Sequence, residues 1–260
     1  MKERTVTLDR PIALVTGGAK RIGKAIVEDL AAHGFPVAIH SNHSRADGES
    51  LLKLIESKGG KGCVVEADLT DSDSVRRLVS QVQDQLGPVR LLVNNASVFQ
   101  DDGIGNLADD TIWDNHFAVH VKAPVLLANA VASLLPDGQD GLIVNLIDQR
   151  VWKLTPKFLS YTLSKSALWT ATQTLAQALA PRIRVNAIGP GPTMPSDRQN
   201  QEDFNRQVSS LLLESGPDLA EFGRTIRYLW ETRSITGQMI ALDGGQHLAW
   251  ETADATGIAE

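Results

Sequence analysis

Cysteine is almost absent from this chain of 260 residues. Cys63 is the single cysteine, so no internal disulfide can form, which favours a reducing compartment such as the cytoplasm. Residues 1–5 are mostly charged or polar, unlike the start of a signal peptide. We also expect no apolar stretch long enough to cross a bilayer. These absences predict a cytoplasmic protein with no membrane partner.

An excess of positive charge is also missing. The formal net charge is −6, whereas general nucleic-acid binding requires a basic face. Hydrophobic residues make up 42% of the chain and charged residues 22%, as is usual for a folded globular domain. We therefore expect one domain over residues 1–250, a frayed tail over residues 251–260, and no nucleic-acid partner.

Short β-branched runs alternate with longer helical patterns, which is typical of β-α-β units and a parallel sheet. The predicted strands are residues 12–16, 37–40, 62–66, 89–93, 142–147, 183–188 and 239–242. The predicted helices are residues 21–33, 46–58, 71–86, 111–135, 156–180 and 202–213. No repeat or linker divides this pattern. It predicts a single-domain α/β fold with a doubly wound, seven-stranded parallel sheet.

A glycine-containing turn follows the first predicted strand and precedes the first predicted helix. It reads Thr-Gly-Gly-Ala-Lys-Arg-Ile-Gly over residues 16–23. Glycine lets the backbone approach a pyrophosphate, and the helix start supplies N–H groups and a positive dipole. Between a strand and a helix, such a turn predicts a nucleotide site. The predicted contacts are Gly17, Lys20, Arg21, Ile22 and Gly23.

The exit of the second strand indicates which nucleotide is bound. A carboxylate there would favour NAD through the ribose 2′-hydroxyl, but residues 40–45 read His-Ser-Asn-His-Ser-Arg and contain no acid. NADP(H) is therefore the predicted cofactor. The side chains suited to its 2′-phosphate are Lys20, Arg21, His43, Ser44 and Arg45. As an alternative, Arg45 only begins a solvated helix.

Polar residues also follow the third and fourth strands. Asp68, followed by Leu69, lies where a carboxylate can reach the adenine amino group, although Asp68 suits a helix cap equally well. Asn94 and Asn95 close the fourth strand, where buried amides either fix the loop walls or satisfy backbone groups. The predicted cofactor contacts in these two segments are Asp68, Leu69, Asn95, Ala96 and Ser97.

Tyr161 and Lys165 lie one above the other on a predicted helix, because residues four apart share a helix face. A buried ammonium beside a phenol favours the phenolate and lowers a tyrosine pKa that starts near ~10. Such a pair can transfer a proton at neutral pH, as reduction of a carbonyl or imine requires. The spacing alone is common. It carries weight here because a nucleotide site is predicted upstream.

The motifs stand in the order of a known family. The glycine turn, Asn-Asn-Ala at residues 94–96, the Tyr-x-x-x-Lys pair and Pro-Gly-Pro-Thr at residues 190–193 resemble a short-chain dehydrogenase/reductase. The resemblance runs over residues 12–247 and implies a Rossmann fold. It implies that Tyr161 is the catalytic acid and that Lys165 lowers its pKa and holds the nicotinamide ribose.

Two further expectations come from the same resemblance. The turn after the sixth strand would bracket the nicotinamide through Pro190, Gly191 and Thr193. The family's two long helices, here residues 111–135 and 156–180, would join four copies into a homotetramer.

Three residues depart from the usual family pattern. Arg21 replaces a glycine of the turn, Asp148 replaces the catalytic serine, and His120 replaces a helix asparagine. Together they resemble the branch of pteridine reductases and dihydromonapterin reductases. In that branch Ser97 and Phe99 would line the substrate site, with the Phe99 ring stacked on a pterin opposite the nicotinamide.

Several roles stay open from the sequence. An ionised Asp148 only accepts hydrogen bonds, which suits an N–H-rich pterin, whereas a protonated one could relay a proton to the tyrosine. His120 either orients Lys165 through a water or is a satisfied core histidine. Phe99 either stacks on the substrate or anchors a loop. Trp152 either faces the substrate pocket or does not.

We therefore predict an NADPH-dependent reductase without a metal, which transfers hydride to a pterin-like C=N bond of a small-molecule substrate. Tyr161 would be the proton donor. The segment of residues 189–216 would be a lid that excludes water. One alternative is a ketone or sugar reductase in which Asp148 takes the serine's place. Another, of a different class, is an NADP(H)-binding scaffold without turnover.

Overall fold

A seven-stranded parallel sheet lies at the centre of the computed structural model, which describes residues 10–107, 110–195 and 199–251. The strands are β1 (Ile12–Val15), β2 (Val37–Ser41), β3 (Gly62–Glu66), β4 (Val89–Asn94), β5 (Gly141–Leu146), β6 (Ile183–Pro190) and β7 (Met239–Leu242). Their order is β3-β2-β1-β4-β5-β6-β7. This confirms the predicted doubly wound Rossmann sheet.

Helices cover both faces of this sheet. They are α1 (Arg21–Ala32), α2 (Arg45–Ser57), α3 (Ser72–Leu86), α4 (Asp110–Phe117), α5 (Ala123–Leu134), α6 (Leu159–Leu179), α7 (Gln201–Ser209) and α8 (Leu219–Glu231). On one face of the sheet, Leu14 of β1 packs in the core formed with α3 and α5. On the other face, Ala13 and Val15 pack in the core formed with α1, α2 and α8. Because both faces are buried, β1 is apolar throughout rather than alternating.

β1 lies between β2 and β4. From β1 the chain adds β2 and β3 on one side of the sheet and then crosses over to add β4 on the other side. In doubly wound sheets, ligands bind outside the carboxyl ends of the strands at this point. The residues that follow β1, β2, β4, β5 and β6 are thereby brought to one edge. These are the segments in which the sequence predicts the cofactor and catalytic residues.

The predicted helix of residues 111–135 changes its winding in the middle. α4 leads into a π-helical turn, Ala118–Lys122, which leads into α5. Such turns within α-helices are rare and occur mostly at functional sites. This one carries His120, which is 1% exposed. Hydrophobic periodicity predicts the helix but does not reveal the extra residue in its turn.

α8 is an element that the sequence analysis does not predict. Asp218 caps it in a reciprocal capping box with Glu221, and Phe222 on its inner face is fully buried. The Asp-x-x-Glu pattern before apolar residues at helical spacing was the available signal.

Two helix ends differ from expectation, and the predicted tail is almost entirely untested. α6 begins at Leu159 rather than residue 156, because the backbone at Phe158 is left-handed, with φ of 57°. α7 ends at Ser209 rather than residue 213. Of the predicted tail, all but Glu251 lies outside the described residues. The domain limit at residue 250 stays a prediction.

One helix of the described residues, Asp110–Leu134, is long and apolar enough to cross a membrane by length and composition. The expectation that no such stretch exists is therefore wrong. Core helices of soluble proteins meet the same criterion, and Val119, Leu127 and Val131 of this helix are buried against the sheet and α3. Core packing thus accounts for part of its apolar composition.

Candidate active site

Two adjoining clefts lie along the carboxyl edge of the sheet. One, of about 710 Å³, contains the predicted catalytic residues Asp148, Tyr161 and Lys165. The other, of about 610 Å³, contains the glycine turn and the residues after β2 and β3. Four residues line both clefts, namely Arg21, Ile22, Asn95 and Ser97. A ligand with two ends, such as a dinucleotide, fits this arrangement.

The glycine turn exposes backbone to the second cleft. Gly17 has φ of 61°, in the left-handed region that glycine adopts readily. Gly23 leaves no room for a side chain, since a Cβ there would lie 2.2 Å from the Gly17 carbonyl oxygen. The first N–H groups of α1 follow directly and have no partner within the helix. This cradle fits a pyrophosphate, as the sequence predicts.

The end of β4 braces the glycine turn. Asn95 Nδ2 donates to the carbonyl oxygens of Thr16 and Gly17, at 2.9 and 3.1 Å. The backbone N–H groups of Asn95 and Ala96 both donate to the Thr16 hydroxyl at 3.0 Å. Asn95 therefore fixes the loop walls, one of the two roles that the sequence leaves open.

Arg21 connects the turn to the segment after β6. Its backbone has φ of 52°, which is unusual for a residue with a side chain and is seen most often at functional sites. Its guanidinium donates from Nη1 and Nη2 to the Pro195 carbonyl oxygen, both at 3.2 Å. Arg21 therefore lies where the two clefts join, with its charge beside both.

The nucleotide end of the second cleft contains several predicted residues. Lys20, Asp68 and Leu69 line it. Asp68 Oδ1 accepts from the N–H and the hydroxyl of Thr70, at 2.8 and 2.7 Å, so its carboxylate shapes the turn after β3. The cap of α3 is Asp71, which removes the helix-cap alternative for Asp68.

His40 is an unpredicted residue at this end. Its Nδ1 accepts the Gly17 N–H at 3.1 Å, so its Nε2 carries the hydrogen and donates to the Ala67 carbonyl oxygen at 3.0 Å. Burial lowers the pKa of His40 and keeps the ring neutral. The histidine therefore ties the glycine turn to the exit of β3 without adding a charge.

The predicted 2′-phosphate contacts do not all reach this cleft. Those outside its lining are His43, Ser44 and Arg45. Arg45 pairs with Glu49 at 2.7 Å and Glu66 at 2.8 Å, and Lys20 pairs with Asp47 at 3.0 Å. Exposed ion pairs of this kind contribute little to stability. Their carboxylates therefore compete only weakly with a phosphate for the same cations.

Tyr161 and Asp148 meet directly in the first cleft. The Tyr161 hydroxyl donates to Asp148 Oδ2 at 3.0 Å, and Asp148 Oδ1 accepts the backbone N–H of Arg150 at 2.8 Å. Both oxygens accept, which fits an ionised carboxylate. Lys165 Nζ donates to the Leu146 carbonyl oxygen at 2.8 Å and lies 5.7 Å from the Tyr161 ring centroid. The predicted pair thus shares one buried site.

Burial sets the proton affinities of this pair. The pKa of Tyr161 is raised well above its ordinary value, first by burial and then by the negative Asp148. The pKa of Lys165 is lowered to about 8 by burial, against the opposing effect of Asp148. Burial and the carboxylate both favour the phenol and together set the direction of this shift, so the lowering effect of Lys165 on the tyrosine pKa stays a prediction. At neutral pH the phenol keeps its proton, as an acid must.

His120 joins two walls of the first cleft. Its Nε2 accepts the Val98 N–H at 3.2 Å, so its Nδ1 carries the hydrogen and donates to the Ser164 hydroxyl at 2.8 Å. The Ser97 hydroxyl lies 2.9 Å from Nε2. Burial strongly lowers the pKa of His120, and the charge of Lys165 adds to this effect. The neutral ring is a satisfied buried histidine, which favours that alternative over orientation of Lys165.

A second buried histidine repeats this arrangement one turn earlier. His116 Nε2 accepts the Gln100 N–H at 3.3 Å, and its Nδ1 donates to the Ser160 hydroxyl at 2.6 Å. The two imidazole rings stack with centroids 5.5 Å apart. His116 was not among the site residues predicted from the sequence. The His-x-x-x-His spacing at 116 and 120, matched by serines at 160 and 164, was the available signal.

Aromatic rings form an apolar wall of the first cleft. Phe99 stacks on Phe158 with centroids 4.4 Å apart and meets Tyr161 edge-on at 4.8 Å. Phe99 is 38% exposed and lines the cleft together with Ser97, as a residue that stacks on a substrate must. Phe158 and Arg150 also line it, and the sequence analysis assigned neither of them to the site.

The segment after β6 forms the opposite wall. Pro190, Gly191 and Thr193 line the cleft as predicted. A Cβ at Gly191 would lie 2.6 Å from the Asp243 Cα, so only glycine fits there. The predicted lid segment also contributes Met194, Gln199 and Gln207. Residues 196–198 of that segment lie outside the described part of the chain, and lid closure stays a prediction.

Trp152 is not among the residues that line either cleft. Its ring packs edge-on against Trp169, with centroids 6.3 Å apart, and lies 5.1 Å from the His247 ring. Its exposed fraction is 43%. This position favours a packing role over the predicted contact with substrate.

Known proteins are similar to the chain over most of its length. Residues 11–206 match the family model described as short chain dehydrogenase. The crystal structure of FolM alternative dihydrofolate reductase 1 from Brucella canis, complexed with NADP, is 67% identical with a TM-score of 0.92, and the match covers 95% of this chain and 97% of that one. Dihydromonapterin reductase of Enterobacter sp. (strain 638) is 29% identical over 92% of this chain and 97% of its own. The 3-oxoacyl-(acyl-carrier-protein) reductase FabG of Staphylococcus epidermidis is 28% identical over 91% of this chain and 98% of its own.

Proposed function

The chain belongs to the short-chain dehydrogenase family, and from this premise we propose that it is an NADPH-dependent reductase of pteridines. It transfers hydride to a pterin-like C=N bond of a dihydropteridine or dihydrofolate, and Tyr161 delivers the proton. The Brucella canis relative, 67% identical, is named an alternative dihydrofolate reductase and was crystallised with NADP. This likeness supports both the substrate class and the cofactor.

The observation that carries the proposal is the Asp148–Tyr161 hydrogen bond in a cleft walled by Phe99. A serine at position 148 would donate to a carbonyl oxygen. A carboxylate with two accepting oxygens instead suits the amino and ring N–H groups of a pterin. The Phe99 ring supplies a flat apolar surface for stacking. Acid, acceptor and aromatic wall together match a nitrogen heterocycle.

The cofactor is held along both clefts in this proposal. The glycine turn with Arg21 receives the pyrophosphate, Asp68 and Leu69 receive the adenine, and Lys165 receives the nicotinamide ribose. The turn with Pro190, Gly191 and Thr193 brackets the nicotinamide, and Asn95, Ala96 and Ser97 are further cofactor contacts. Those near the 2′-phosphate are Lys20, His43, Ser44 and Arg45. Bound NADPH supplies the hydride.

Proton delivery follows from the state of the buried groups. Tyr161 holds its proton at neutral pH because its pKa is raised, and its hydroxyl is already oriented by Asp148. A substrate nitrogen that enters the cleft replaces the carboxylate as the acceptor of this proton. Lys165, with a pKa of about 8, is largely protonated at neutral pH and stabilises the phenolate that forms. Ser97, held by His120, lies beside the same hydroxyl.

Substrate preference tests the proposal directly. Purified protein is mixed with NADPH and dihydrobiopterin, dihydromonapterin or dihydrofolate, and NADPH absorbance is followed. Loss of absorbance with pteridines alone supports the proposal. Loss with ketones alone supports a carbonyl reductase, a candidate favoured by the likeness to 3-oxoacyl reductase. Binding of NADPH with no oxidation in any mixture would indicate a scaffold instead.

Substitution of Asp148 separates its role from that of the common family serine. Asp148→Ser is expected to lower kcat/KM for dihydropteridines roughly 100-fold, because hydrogen bonds to a charged acceptor are lost. Asp101→Ser, at an exposed carboxylate, is the matched control and should leave kcat/KM unchanged. Full activity in Asp148→Ser would contradict the assigned role of the carboxylate.

We also propose that the protein is a cytoplasmic homotetramer joined through α5 and α6. Val125 of α5 and Leu163 of α6 are 37% and 42% exposed, which supports an apolar contact on these helices. Light scattering at micromolar concentration should give four times the mass of one chain. A monomeric mass would contradict the assembly without affecting the proposed reaction.

A further inference from the structure

Arg150 brings a positive group with two buried, unbonded nitrogens to the first cleft. Its Nε and Nη1 atoms are buried and have no hydrogen-bond partner among the described residues. Burial of a charged donor without an acceptor is costly. Such groups persist where a ligand supplies the missing acceptor. Arg150 lines the cleft that contains Asp148 and Tyr161, so a ligand in this cleft is within its reach.

Three aromatic rings surround the Arg150 guanidinium. Its Cζ lies 5.7, 5.2 and 5.6 Å from the ring centroids of Phe99, Phe158 and Tyr161. Rings at this distance attract the charge through their faces, but they do not accept hydrogen bonds from its N–H groups as an oxygen does. The guanidinium is therefore held in place while its donors stay available.

Arg150 and Asp148 lie side by side with opposite hydrogen-bonding character. The Arg150 backbone N–H donates to Asp148 at 2.8 Å, which fixes their relative position. The carboxylate accepts hydrogen bonds and the guanidinium donates them. A flat ring with donor and acceptor atoms next to each other on one edge matches this pair.

We infer that Arg150 is a specificity residue that donates to the oxo group of a 4-oxopteridine while Asp148 accepts from the neighbouring N–H groups. The inference rests on the proposed pteridine reductase activity and names the ring edge that is recognised. The planar fork of arginine suits conjugated oxygen and nitrogen acceptors. Arginine reads the oxo group and ring nitrogen of guanine in the same way.

A pair of pteridines that differ in the group at ring position 4 tests this inference. A 2-amino-4-oxopteridine offers an acceptor to Arg150, whereas a 2,4-diaminopteridine offers a donor there. Their binding to protein saturated with NADP⁺ is measured by calorimetry. Arg150→Met is expected to weaken binding of the 4-oxo compound roughly 10- to 100-fold, the range for a lost charged hydrogen bond. Binding of the 4-amino compound should change much less.

Lys153→Met is the matched control, since Lys153 is an exposed cation three residues away and outside the cleft lining. It should leave both affinities unchanged. Unchanged NADPH affinity in Arg150→Met shows that the protein has folded. If that variant fails to fold, Arg150→Lys keeps the charge without the planar fork. It should weaken binding of the 4-oxo compound while retaining NADPH.

The outcomes separate this inference from the proposed function. If wild-type protein neither binds nor reduces pteridines, the proposed function is wrong. If wild-type protein reduces them but Arg150→Met keeps the same preference for the 4-oxo ring, the inference about Arg150 is wrong. A loss seen with dihydrofolate but not with dihydrobiopterin would also overturn it, because Arg150 would then bind the carboxylate tail of the folate.

Discussion

The two ends of the joined clefts use different chemistry. The nucleotide end consists of backbone at Gly17 and Gly23 and of exposed ion pairs such as Lys20–Asp47. The substrate end consists of buried titratable groups, with Tyr161 and Lys165 at 6% and 2% exposure. Exposed charges can exchange partners at little cost. Buried charges cannot, and burial shifts their pKa values.

This difference implies unequal sensitivity to substitution. At the buried end one side chain carries each function, and solvent cannot replace it. At the nucleotide end many weak contacts share the binding, except where backbone approaches so closely that only glycine fits. We expect substitutions at the buried substrate end to have larger effects than substitutions at the nucleotide end.

The largest effect is expected at Tyr161. Tyr161→Phe removes the proton donor and should lower kcat roughly 10²- to 10⁴-fold, the usual contribution of general acid catalysis. NADPH affinity should stay near its wild-type value. Steady-state rates and a fluorescence titration of NADPH check both expectations. Tyr228→Phe, at the other tyrosine of the described chain, which is 51% exposed, is the control. Retained turnover in Tyr161→Phe would remove the donor assignment.

Gly23 tests the exception at the nucleotide end. In Gly23→Ala the new Cβ would lie 2.2 Å from the Gly17 carbonyl oxygen and 2.5 Å from Asn95 Nδ2, so the turn must shift. We expect NADPH affinity to fall roughly 10- to 100-fold, from a strain of about 1–3 kcal/mol. Gly103→Ala, whose nearest neighbour would be 3.9 Å away, should bind NADPH normally. Equal affinity in both variants would contradict the close-approach argument.

The pH dependence of the reduction rate tests the role of Lys165 at the buried end. Lys165 has a pKa of about 8, so it loses its proton as pH rises through 8, while the raised pKa keeps Tyr161 protonated. The reduction rate should therefore fall up to tenfold per pH unit above 8. Lys165→Arg keeps the charge and should remove this decline from whatever activity remains. A flat rate from pH 7 to 10 in wild-type protein would contradict the assignment.

Folding stability should follow pH in the opposite direction. The unfolded lysine, with its ordinary pKa of 10.5, binds more protons than the folded one between pH 8 and 10.5. The free energy of unfolding from this group therefore rises with pH across that window. Denaturant unfolding at pH 8 and pH 10 distinguishes the loss of rate from unfolding.

The smallest effect is expected at Arg45. Arg45→Gln should weaken NADPH binding by only about two- to fivefold, because an exposed charge contributes little and its neighbours remain. NADH binding should not change. Glu66→Gln removes one of its carboxylate partners and should strengthen NADPH binding slightly. If both variants bind NADPH like wild type, the predicted role of Arg45 at the 2′-phosphate is wrong.

The strands were predictable because each is a short β-branched run between turn residues. α8 was missed although Asp218 and Glu221 form its capping box, since the Gly-Pro-Asp at residues 216–218 indicates a loop. The position of Phe158 was not predictable, because nothing local identifies a phenylalanine with left-handed backbone. His120 is a recognisable departure from the family in the sequence. Its partners Ser97 and Ser164 come from separate segments that only folding brings together.

The sequence by itself determined the succession of strands and helices along the chain, the glycine cradle and the placement of Tyr161 and Lys165 on one helix face. These depend on local spacing and on the absence of a side chain in glycine. Tertiary structure alone decided that Asp148 accepts a hydrogen bond from the Tyr161 hydroxyl, that burial raises the tyrosine pKa, and that two buried nitrogens of Arg150 have no acceptor among the described residues. These properties depend on which side chains, distant in sequence, are buried together. In such a buried site desolvation and neighbouring charges decide the pKa and the hydrogen bonds of each group, and residue type alone does not.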